Sequence, residues 1–197
     1  MEEPFRKDLT HLTWTEVYAR QEKRAFLVDA WMDALRLKPG DRVLEVGAGP
    51  GYVSMMLADR VGPEGLVYAV DKSAEALAHL ERLQKERAVS QIQRIVADAA
   101  ALTPSGLSVH SALITMVLHH AKDPVGILRS VARLLPPGAR AVVAEFDPEG
   151  PCEQGPPPEH RIGREKIRAW CEAVGLAVLD YRRQSPEHYM VVVQRAS

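Results

Sequence analysis

A carboxylate followed by three glycines is the first group of residues in this chain that could do chemistry. Glu45 lies two residues before Gly47 in the stretch V-L-E-V-G-A-G-P-G, and Gly49 and Gly51 follow at every second position. Glycines allow backbone torsions closed to other residues, and they let a ligand approach the main chain closely. A helical pattern starts at Tyr52, so its free N-terminal amides would face the same space. The stretch therefore predicts a ligand site at a strand-to-helix turn.

The charge and spacing of this turn indicate which ligand it suits. A dinucleotide site has G-x-G-x-x-G/A, and Tyr52 occupies the third small position here. A carboxylate at Glu45 would repel a pyrophosphate and suits a cationic or hydroxyl-bearing ligand. Asp71, 20 residues after Gly51, ends the second predicted strand, where an acid can accept from both hydroxyls of a ribose. Asp71 could also cap the following helix, and its position relative to the glycine turn favours the ribose.

Two adjacent histidines and a second carboxylate form another group of reactive side chains. His119 and His120 follow the fourth predicted strand, and Glu145 lies near the carboxyl end of the fifth, where open α/β sheets bind ligands. A histidine there could remove a proton from a hydroxyl or thiol near neutral pH. These three residues are therefore the predicted catalytic groups. We expect one histidine to pack under the sheet and His119 to face the substrate, with a structural hydrogen bond as the alternative.

A metal site is not predicted at these histidines. Adjacent side chains diverge at a strand end, and no third ligand stands at helical spacing from them. After the fifth strand, residues 148–160 form a Pro/Gly-rich loop that is too long for a plain connector. We expect this loop to be a wall of the substrate site, with His160 and Arg161 at its far end as possible substrate contacts.

Hydrophobic patterns predict the elements that position these groups. Apolar residues recur at helical spacing over residues 17–35, after a cap at Thr13 or Thr15, and Pro39-Gly40 ends the pattern. Strands are predicted at residues 43–46, 66–70, 92–96, 111–118, 139–146, 177–182 and 189–195. Helices are predicted at residues 52–60, 74–87, 125–135 (capped by Asp123) and 163–174. The last two strands have no helix between them. The fold class is therefore α/β, a doubly wound, seven-stranded, mostly parallel sheet with a C-terminal antiparallel hairpin.

With these residues in place, the sequence resembles the class I methyltransferases that use S-adenosylmethionine (SAM). Their first motif is an acidic residue followed by G-x-G-x-G, and L-H-H-A-K-D-P at residues 118–124 resembles the small-molecule, ubiquinone/menaquinone-biosynthesis type. The resemblance implies the Rossmann-like methyltransferase fold, SAM as cofactor, and methyl transfer to an oxygen, carbon or sulfur nucleophile of a small-molecule acceptor. It implies an N-terminal helical arm or cap over residues 1–35 and a methyltransferase domain over residues 36–197.

The resemblance also implies the cofactor contacts. Asp98 would accept from the adenine amino group, Lys72 would lie along the adenine, and the backbone around Met116 would contact the methionyl part. Tyr18 and Arg24 of the arm are candidate contacts to the methionine carboxylate. The residues predicted to bind the cofactor are Glu45, Gly47, Ala48, Gly49, Gly51, Asp71, Lys72, Asp98, Ala99 and Met116.

Composition narrows the possible partners and location. A formal net charge of -1 gives no basic field for a nucleic acid, and 197 residues suit one domain with a full core. Cys152 and Cys171 cannot form a disulfide framework, which favours a reducing compartment. The charged N-terminus does not resemble a signal peptide, and no apolar run reaches transmembrane length. We therefore expect a cytoplasmic monomer or homodimer without nucleic-acid or membrane partners. The absence of Asn and the 14 Pro favour a thermophilic source.

Three functions remain open at this point. A small-molecule SAM-dependent methyltransferase is favoured. The alternative is a SAM-binding protein of the same fold without catalysis, which would show only slow hydrolysis with every acceptor. A nicotinamide oxidoreductase on the same fold is the third, and Tyr52 at the third small position disfavours it.

Overall fold

The structure, a computed structural model, describes residues 12–104, 106–151 and 155–196. Most of the predicted arm before Thr13 and the thiol of Cys152 lie outside these residues. The strands are β1 (Arg42–Val46), β2 (Leu66–Asp71), β3 (Ile92–Val96), β4 (Ser111–Thr115), β5 (Arg140–Phe146), β6 (Leu176–Arg183) and β7 (His188–Arg195). The helices are α1 (Trp14–Glu22), α2 (Val28–Leu35), α3 (Tyr52–Val61), α4 (Ala74–Glu86), α5 (Pro124–Leu134) and α6 (Arg164–Glu172).

The seven strands form one sheet in the order β3-β2-β1-β4-β5-β7-β6. β1 to β5 pair in parallel, and β7 pairs antiparallel with both β5 and β6. The predicted fold class, mostly parallel with a C-terminal antiparallel hairpin, is confirmed. The chain passes from β1 to β2 on one side and later to β4 on the other, so a crevice opens at the carboxyl ends of β1 and β4.

The second strand of the C-terminal hairpin, β7, lies between β5 and the first hairpin strand, β6. β7 is buried along most of its length and takes the place beside β5, whereas β6 is largely exposed and forms the edge. An edge strand keeps one side in water, so the more polar of the two strands is the one that can occupy it. This insertion places the start of β7 next to the end of β5, at the ligand end of the sheet.

Two apolar layers cover the faces of the sheet. Val43 on β1 belongs to the layer formed with α2, α3 and α4, and Leu44 and Val46 belong to the layer formed with α5 and α6. Side chains alternate along a strand. Glu45 therefore points from β1 toward the layer that contains α3, and it is 1% exposed.

The N-terminal helical pattern is not one helix, in contrast to the prediction. The start at Trp14 is confirmed, because Thr13 and Glu16 form a capping box. However, α1 ends at Glu22, and a 3₁₀ turn (Ala25–Leu27) separates it from α2. The turn directs Leu27 into the core and leaves Phe26 64% exposed, although Phe26 continues the apolar pattern. No helix in the described ranges is long and apolar enough to span a membrane.

β4 is shorter than the predicted strand over residues 111–118. Thr115 is its last residue, Met116 has a φ of 52°, and a 3₁₀ turn covers Leu118–His120. A non-glycine residue in the left-handed region is strained, and such strain concentrates at functional sites. The apolar run through Met116 and Val117 has the composition of a strand, so this break could not be predicted from the residue types. The other element boundaries differ from the prediction by at most two residues.

Candidate cofactor and acceptor site

The glycine turn between β1 and α3 is closely tied to the end of β2. The amides of Gly47 and Ala48 both donate to the carbonyl oxygen of Val70, at 2.9 and 3.0 Å. Gly47, Gly49 and Gly51 have φ values of 78°, 55° and 98°. These torsions are strained for other residues, so the turn depends on all three glycines, as the spacing predicts.

Packing also limits side chains at the first and third glycines. A Cβ atom on Gly47 would lie 3.0 Å from the Cβ of Val117, and one on Gly51 would lie 2.4 Å from Cδ1 of Leu80. Gly49 differs from the other two glycines. A Cβ atom added there would have the flexible side-chain amide of Gln21 as its nearest neighbour, at 3.2 Å. Packing therefore restricts Gly47 and Gly51 in addition to their torsions, whereas Gly49 is bordered by a side chain that can move.

Asp71 contacts the glycine turn directly. Its Oδ2 accepts from the Gly49 amide at 2.8 Å, and its Oδ1 accepts from the Ser73 amide at 2.8 Å. The hydroxyl of Ser73 caps α4 by accepting from Ala76, so the alternative that Asp71 is the helix cap is wrong. The predicted ribose acid thus lies within hydrogen-bond distance of the turn.

The residues predicted to face the adenine lie at the ends of β2 and β3. Ala97 donates its amide to the carbonyl of Asp71 at 3.1 Å, which joins the two strand ends. Asp98 is exposed and caps a 3₁₀ turn (Ala99–Ala101) by accepting from the Ala100 amide at 2.9 Å. Lys72 is exposed. The structure brings Asp71, Lys72, Asp98 and Ala99 to one region, and their cofactor contacts stay predictions.

Glu45 differs from the other predicted cofactor residues because its side chain is interior. Its carboxyl hydrogen-bonds the Ser54 hydroxyl on α3 and not the open face of the turn. Burial raises the pKa of Glu45 from 4.5 to about 7, against the lowering effect of the Ser54 hydrogen bond, and the charge of Asp71 raises it further. The carboxyl therefore changes its charge near neutral pH. Its contact with a cofactor stays a prediction.

Replacing Glu45 with glutamine is expected to stabilise the protein above pH 7 and to change little below pH 4.5. The folded pKa, about 7, lies above the ordinary 4.5, so the folded state favours the protonated carboxyl. The stability from Glu45 is therefore complete below pH 4.5 and is lost as the pH rises to about 7. Glutamine keeps a hydrogen-bond partner for Ser54 but carries no charge. The free energy of unfolding of E45Q should therefore exceed that of wild type by up to about 3 kcal/mol at high pH.

Thermal unfolding of wild type and E45Q between pH 4 and pH 9 measures this effect. The matched control is E64Q, because Glu64 is an exposed glutamate near the start of β2, and its Tm should follow that of the wild type. A Tm difference between E45Q and wild type that is the same at every pH would contradict the prediction.

Helix α1 adds a residue that no sequence pattern indicated. Gln21 donates from Nε2 to the carbonyl of Ala48 at 3.5 Å and accepts at Oε1 from the Tyr52 amide at 3.2 Å. It thus covers the first free amide of α3. Tyr18 packs edge-on against Tyr52, with ring centroids 5.3 Å apart. Gln21 is remote from the turn in sequence, so only the fold reveals its contact.

Glu145 and His119 form a buried polar pair at the ends of β5 and β4. His119 Nδ1 lies 2.6 Å from Oε2 of Glu145, and the two side chains are 0% and 1% exposed. Oε1 accepts from the amides of Leu118 and His119, at 2.8 and 3.3 Å. A carboxylate that accepts on both oxygens requires Nδ1 of His119 to carry a proton. Nε2 of His119 is buried and has no hydrogen-bond partner among the described residues.

The expectation that His119 faces the substrate stays a prediction. His119 is the histidine that packs inside, whereas His120 is partly exposed. The chain leaves the strand at Met116, and the following 3₁₀ turn directs His119 toward Glu145. The ring of His120 contacts that of His119, with centroids 3.7 Å apart. The structure therefore brings the three predicted catalytic residues together, and His119 is the more deeply buried of the two histidines. Within the described residues, no three His, Cys, Asp or Glu side chains converge as metal ligands.

Arg161 organises the loop that follows β5. Its side chain is 0% exposed and donates to the carbonyls of Asp147, Pro151 and Pro156 at 2.8, 3.1 and 2.9 Å. The prediction that Arg161 contacts substrate is therefore wrong, because its donors are committed to the main chain of the loop. A Cβ atom on Gly155 would lie 2.3 Å from the Phe146 ring, so the loop packs against Phe146. His160 is half-buried, and its substrate contact stays a prediction.

Sequence comparison relates this chain to known proteins. Residues 37–195 match the model of a family described as a methyltransferase domain. The chain is 34% identical over 128 residues to the ubiquinone/menaquinone biosynthesis C-methyltransferase of Xanthomonas oryzae, which covers 64% of this chain and 49% of that protein. The chain spans between a third and a half of the length of the curated relatives it matches first.

Structural comparison finds the same architecture. A SAM-dependent methyltransferase from Aquifex aeolicus superposes with a TM-score of 0.83 and 20% identity, over 91% of this chain and 95% of that one. The 1,6-didemethyltoxoflavin-N1-methyltransferase of Burkholderia thailandensis, solved with its substrate and S-adenosylhomocysteine, has a TM-score of 0.71 and 16% identity, over 93% and 84% of the two chains. At these identities the likeness shows a shared fold.

Proposed function

The chain belongs to the methyltransferase domain family, and from this premise we propose that it transfers the methyl group of SAM to a small-molecule acceptor. The observation that carries the proposal is the contact between Asp71 and Gly49, 2.8 Å long. It unites an acid at the end of β2 with a glycine turn at the end of β1, at the crevice where open α/β sheets bind ligands. The acceptor attacks through an oxygen, carbon or sulfur atom.

The residues at the turn fit SAM as the cofactor. Gly49 places no side chain beside Asp71, and Asp71 offers a carboxylate to the ribose hydroxyls. The carboxylate of Asp71 at the turn suits a cationic ligand with hydroxyls better than a phosphate. Lys72, Asp98, Ala99 and the strained backbone at Met116 line the neighbouring strand ends as further contacts. When bound, SAM would supply a methyl group on a positively charged sulfur, and the acceptor would take that methyl group with the neutral thioether as the leaving group.

The residues at the ends of β4 and β5 supply the acceptor side. Methyl transfer is a direct displacement, so the protein contributes alignment and a dry site. We assign the proton-accepting role to His119, because Glu145 holds the proton on Nδ1 and leaves the Nε2 lone pair without a partner in the described part of the chain. Glu145 is a positioning residue for His119, and His120 lies against its ring.

One observation favours the alternative, a SAM-binding protein of this fold without catalysis. The side chain of His119 is 0% exposed, and a base must reach the proton that it removes. A non-catalytic protein would give only slow hydrolysis of SAM with every acceptor tested. Formation of S-adenosylhomocysteine at a rate that depends on acceptor concentration would support catalysis.

Small-molecule acceptors are also favoured by the charge of the chain. The formal net charge of -1 offers no field for a nucleic acid. We therefore propose a monomer or homodimer that acts on free small molecules without a membrane partner. Cytoplasmic location and a thermophilic source stay predictions from composition.

Calorimetric titration with SAM tests the proposal. We expect saturable binding with a Kd within roughly 1 μM to 1 mM, the usual range for enzyme substrates, and no binding of NAD, which is the control for a nicotinamide site. Screening of quinone precursors, phenols and thiols then follows S-adenosylhomocysteine formation. The absence of SAM binding by folded protein would end the methyltransferase proposal.

A further inference from the structure

Arg24, between α1 and the 3₁₀ turn at Ala25–Leu27, has a charge without a partner. Its guanidinium carbon lies 5.7 Å from the centroid of the Phe146 ring. No hydrogen bond or ion pair joins the guanidinium to any residue in the described ranges. The side chain is partly buried, and burial, followed by the charge of Arg20, lowers the pKa of Arg24. A desolvated cation is costly unless an anion or water compensates it.

The acids around Arg24 already have other partners. Glu145 holds His119 at 2.6 Å, and Glu187 lies 3.3 Å from Nη2 of Arg161. Asp147 lies 3.3 Å from Nε of Arg183. Among the described residues, Arg24 is thus the arginine of this region that takes part in no ion pair.

His188, at the start of β7, presents a second unpartnered donor beside Phe146. The two rings have centroids 5.0 Å apart, and His188 is 4% exposed. Burial, then the charge of Arg24, lowers the pKa of His188 to about 4, so the ring is neutral at pH 7 and has one N–H group. The Ser185 hydroxyl accepts from the Glu187 amide at 3.1 Å and lies 2.8 Å from Nδ1 of His188.

The proton of His188 can be placed from these contacts. We assign Ser185 as the donor to Nδ1, because its hydroxyl already accepts from the Glu187 amide, and this assignment places the ring proton on Nε2. Nε2 is buried without a hydrogen-bond partner among the described residues. Donors of Arg24 and His188 therefore lie beside Phe146 without a protein acceptor in the described part of the chain, and the buried Nε2–H of His188 costs stability until a ligand supplies an acceptor.

The location of Phe146 separates these donors from the glycine turn. Phe146 ends β5, and β4 lies between β5 and β1 in the sheet. Strands are about 4.8 Å apart, so the end of β5 is roughly 10 Å from the end of β1. Arg24 thus lies beside the end of β5, on the acceptor side of the crevice.

We propose that Arg24 and His188 form an anion subsite that binds a carboxylate of the methyl acceptor, with Phe146 supporting the carbon skeleton beside it. The acceptor is then an organic acid that carries its nucleophilic atom elsewhere in the molecule. A guanidinium presents two parallel donors that match a carboxylate, and the Nε2–H of His188 adds a third. The subsite deepens the proposed function and rests on it for the identity of the ligand as the methyl acceptor.

Matched pairs of small carboxylic acids and their primary amides test the subsite. The pairs include hydroxybenzoic and aliphatic hydroxy acids, and ligand-observed NMR measures their affinity for protein saturated with S-adenosylhomocysteine. We expect wild type to bind at least one acid roughly tenfold or more tightly than its amide. Arg24→Gln should lose that preference, and Arg24→Lys should keep part of it. The matched control is Arg20→Gln, an exposed arginine one turn earlier on α1, which should behave as wild type.

Two results would overturn the subsite: no acid preferred over its amide by wild type, or an equal preference in R24Q. If melting shows that R24Q does not fold, His188→Leu replaces it and should reduce the preference at least severalfold. SAM affinity measured on the same variants separates the two proposals. R24Q should keep the SAM Kd of wild type, and a large loss of SAM affinity without any acid preference would assign Arg24 to the methionine carboxylate. If wild type prefers acids but binds no SAM, the anion subsite is supported and the methyltransferase proposal is contradicted.

Discussion

Asparagine in place of Asp71 is expected to weaken SAM binding roughly 100-fold. Each carboxylate oxygen of Asp71 accepts one backbone hydrogen bond, from Gly49 or Ser73, and retains a lone pair for a ribose hydroxyl. Hydrogen bonds to a charged group contribute about 1.5–3 kcal/mol each, and 1.4 kcal/mol is tenfold in affinity. Asparagine removes the negative charge from the acceptor of both ribose hydroxyls, so the expected loss of SAM affinity is about 100-fold. Calorimetric titration measures it.

The same substitution is expected to destabilise the protein by about 1–3 kcal/mol. The asparagine amide would set an N–H group against the amide of either Gly49 or Ser73, which leaves a backbone donor unsatisfied. Titrations must therefore be made at a temperature at which melting shows that the variant is folded. D41N is the matched control, because Asp41 accepts from the Lys38 amide at 2.8 Å at the opposite end of β1. It should keep the SAM affinity of wild type, and undiminished affinity in D71N would remove the ribose assignment.

Glutamine in place of Glu145 is expected to lower the free energy of unfolding by about 3 kcal/mol. The carboxylate accepts from the amides of Leu118 and His119 and from His119 Nδ1. A glutamine has one acceptor oxygen, so its NH₂ group must face either the backbone amides or Nδ1. Removing one partner of a buried, hydrogen-bonded pair costs about 3–5 kcal/mol when no compensation follows, and a change of the His119 tautomer compensates in part. Chemical denaturation measures the loss.

The tautomer of His119 in E145Q is a second measurement. It connects Glu145 to the reaction, because the tautomer decides whether Nε2 of His119 can accept a proton. With the glutamine NH₂ facing Nδ1, the His119 proton moves to Nε2, which ¹⁵N NMR of the imidazole detects. His119 could then no longer accept a proton at Nε2, so kcat with an acidic acceptor should fall by roughly 10²- to 10⁴-fold. The control is D147N, since Asp147 lies just beyond β5 and accepts from the Glu149 amide at 2.9 Å. Equal losses of stability in the two variants, with an unchanged His119 tautomer, would show that Glu145 has no special role.

The sequence by itself determined the features that depend on neighbouring residues. The glycine turn could be predicted because only glycine adopts its left-handed torsions without strain, and the adjoining strand and helix follow from hydrophobic spacing. Asp71 could be predicted because the carboxyl ends of adjacent parallel strands meet at one edge. The caps at Thr13 and Asp123 are confirmed for the same reason, since each accepts from an amide three residues away.

Only the tertiary structure decided how the acceptor side is built. One left-handed residue, Met116, turns His119 inward onto Glu145, and a single backbone torsion inside an apolar run leaves no trace in composition. The insertion of β7 beside β5 brings His188 to Phe146, and the break after α1 brings Arg24 to the same ring. These contacts join residues more than 20 positions apart through packing of the whole domain. Local patterns therefore predicted the cofactor end of the sheet, and the packing of distant elements produced the arrangement that we propose for the acceptor.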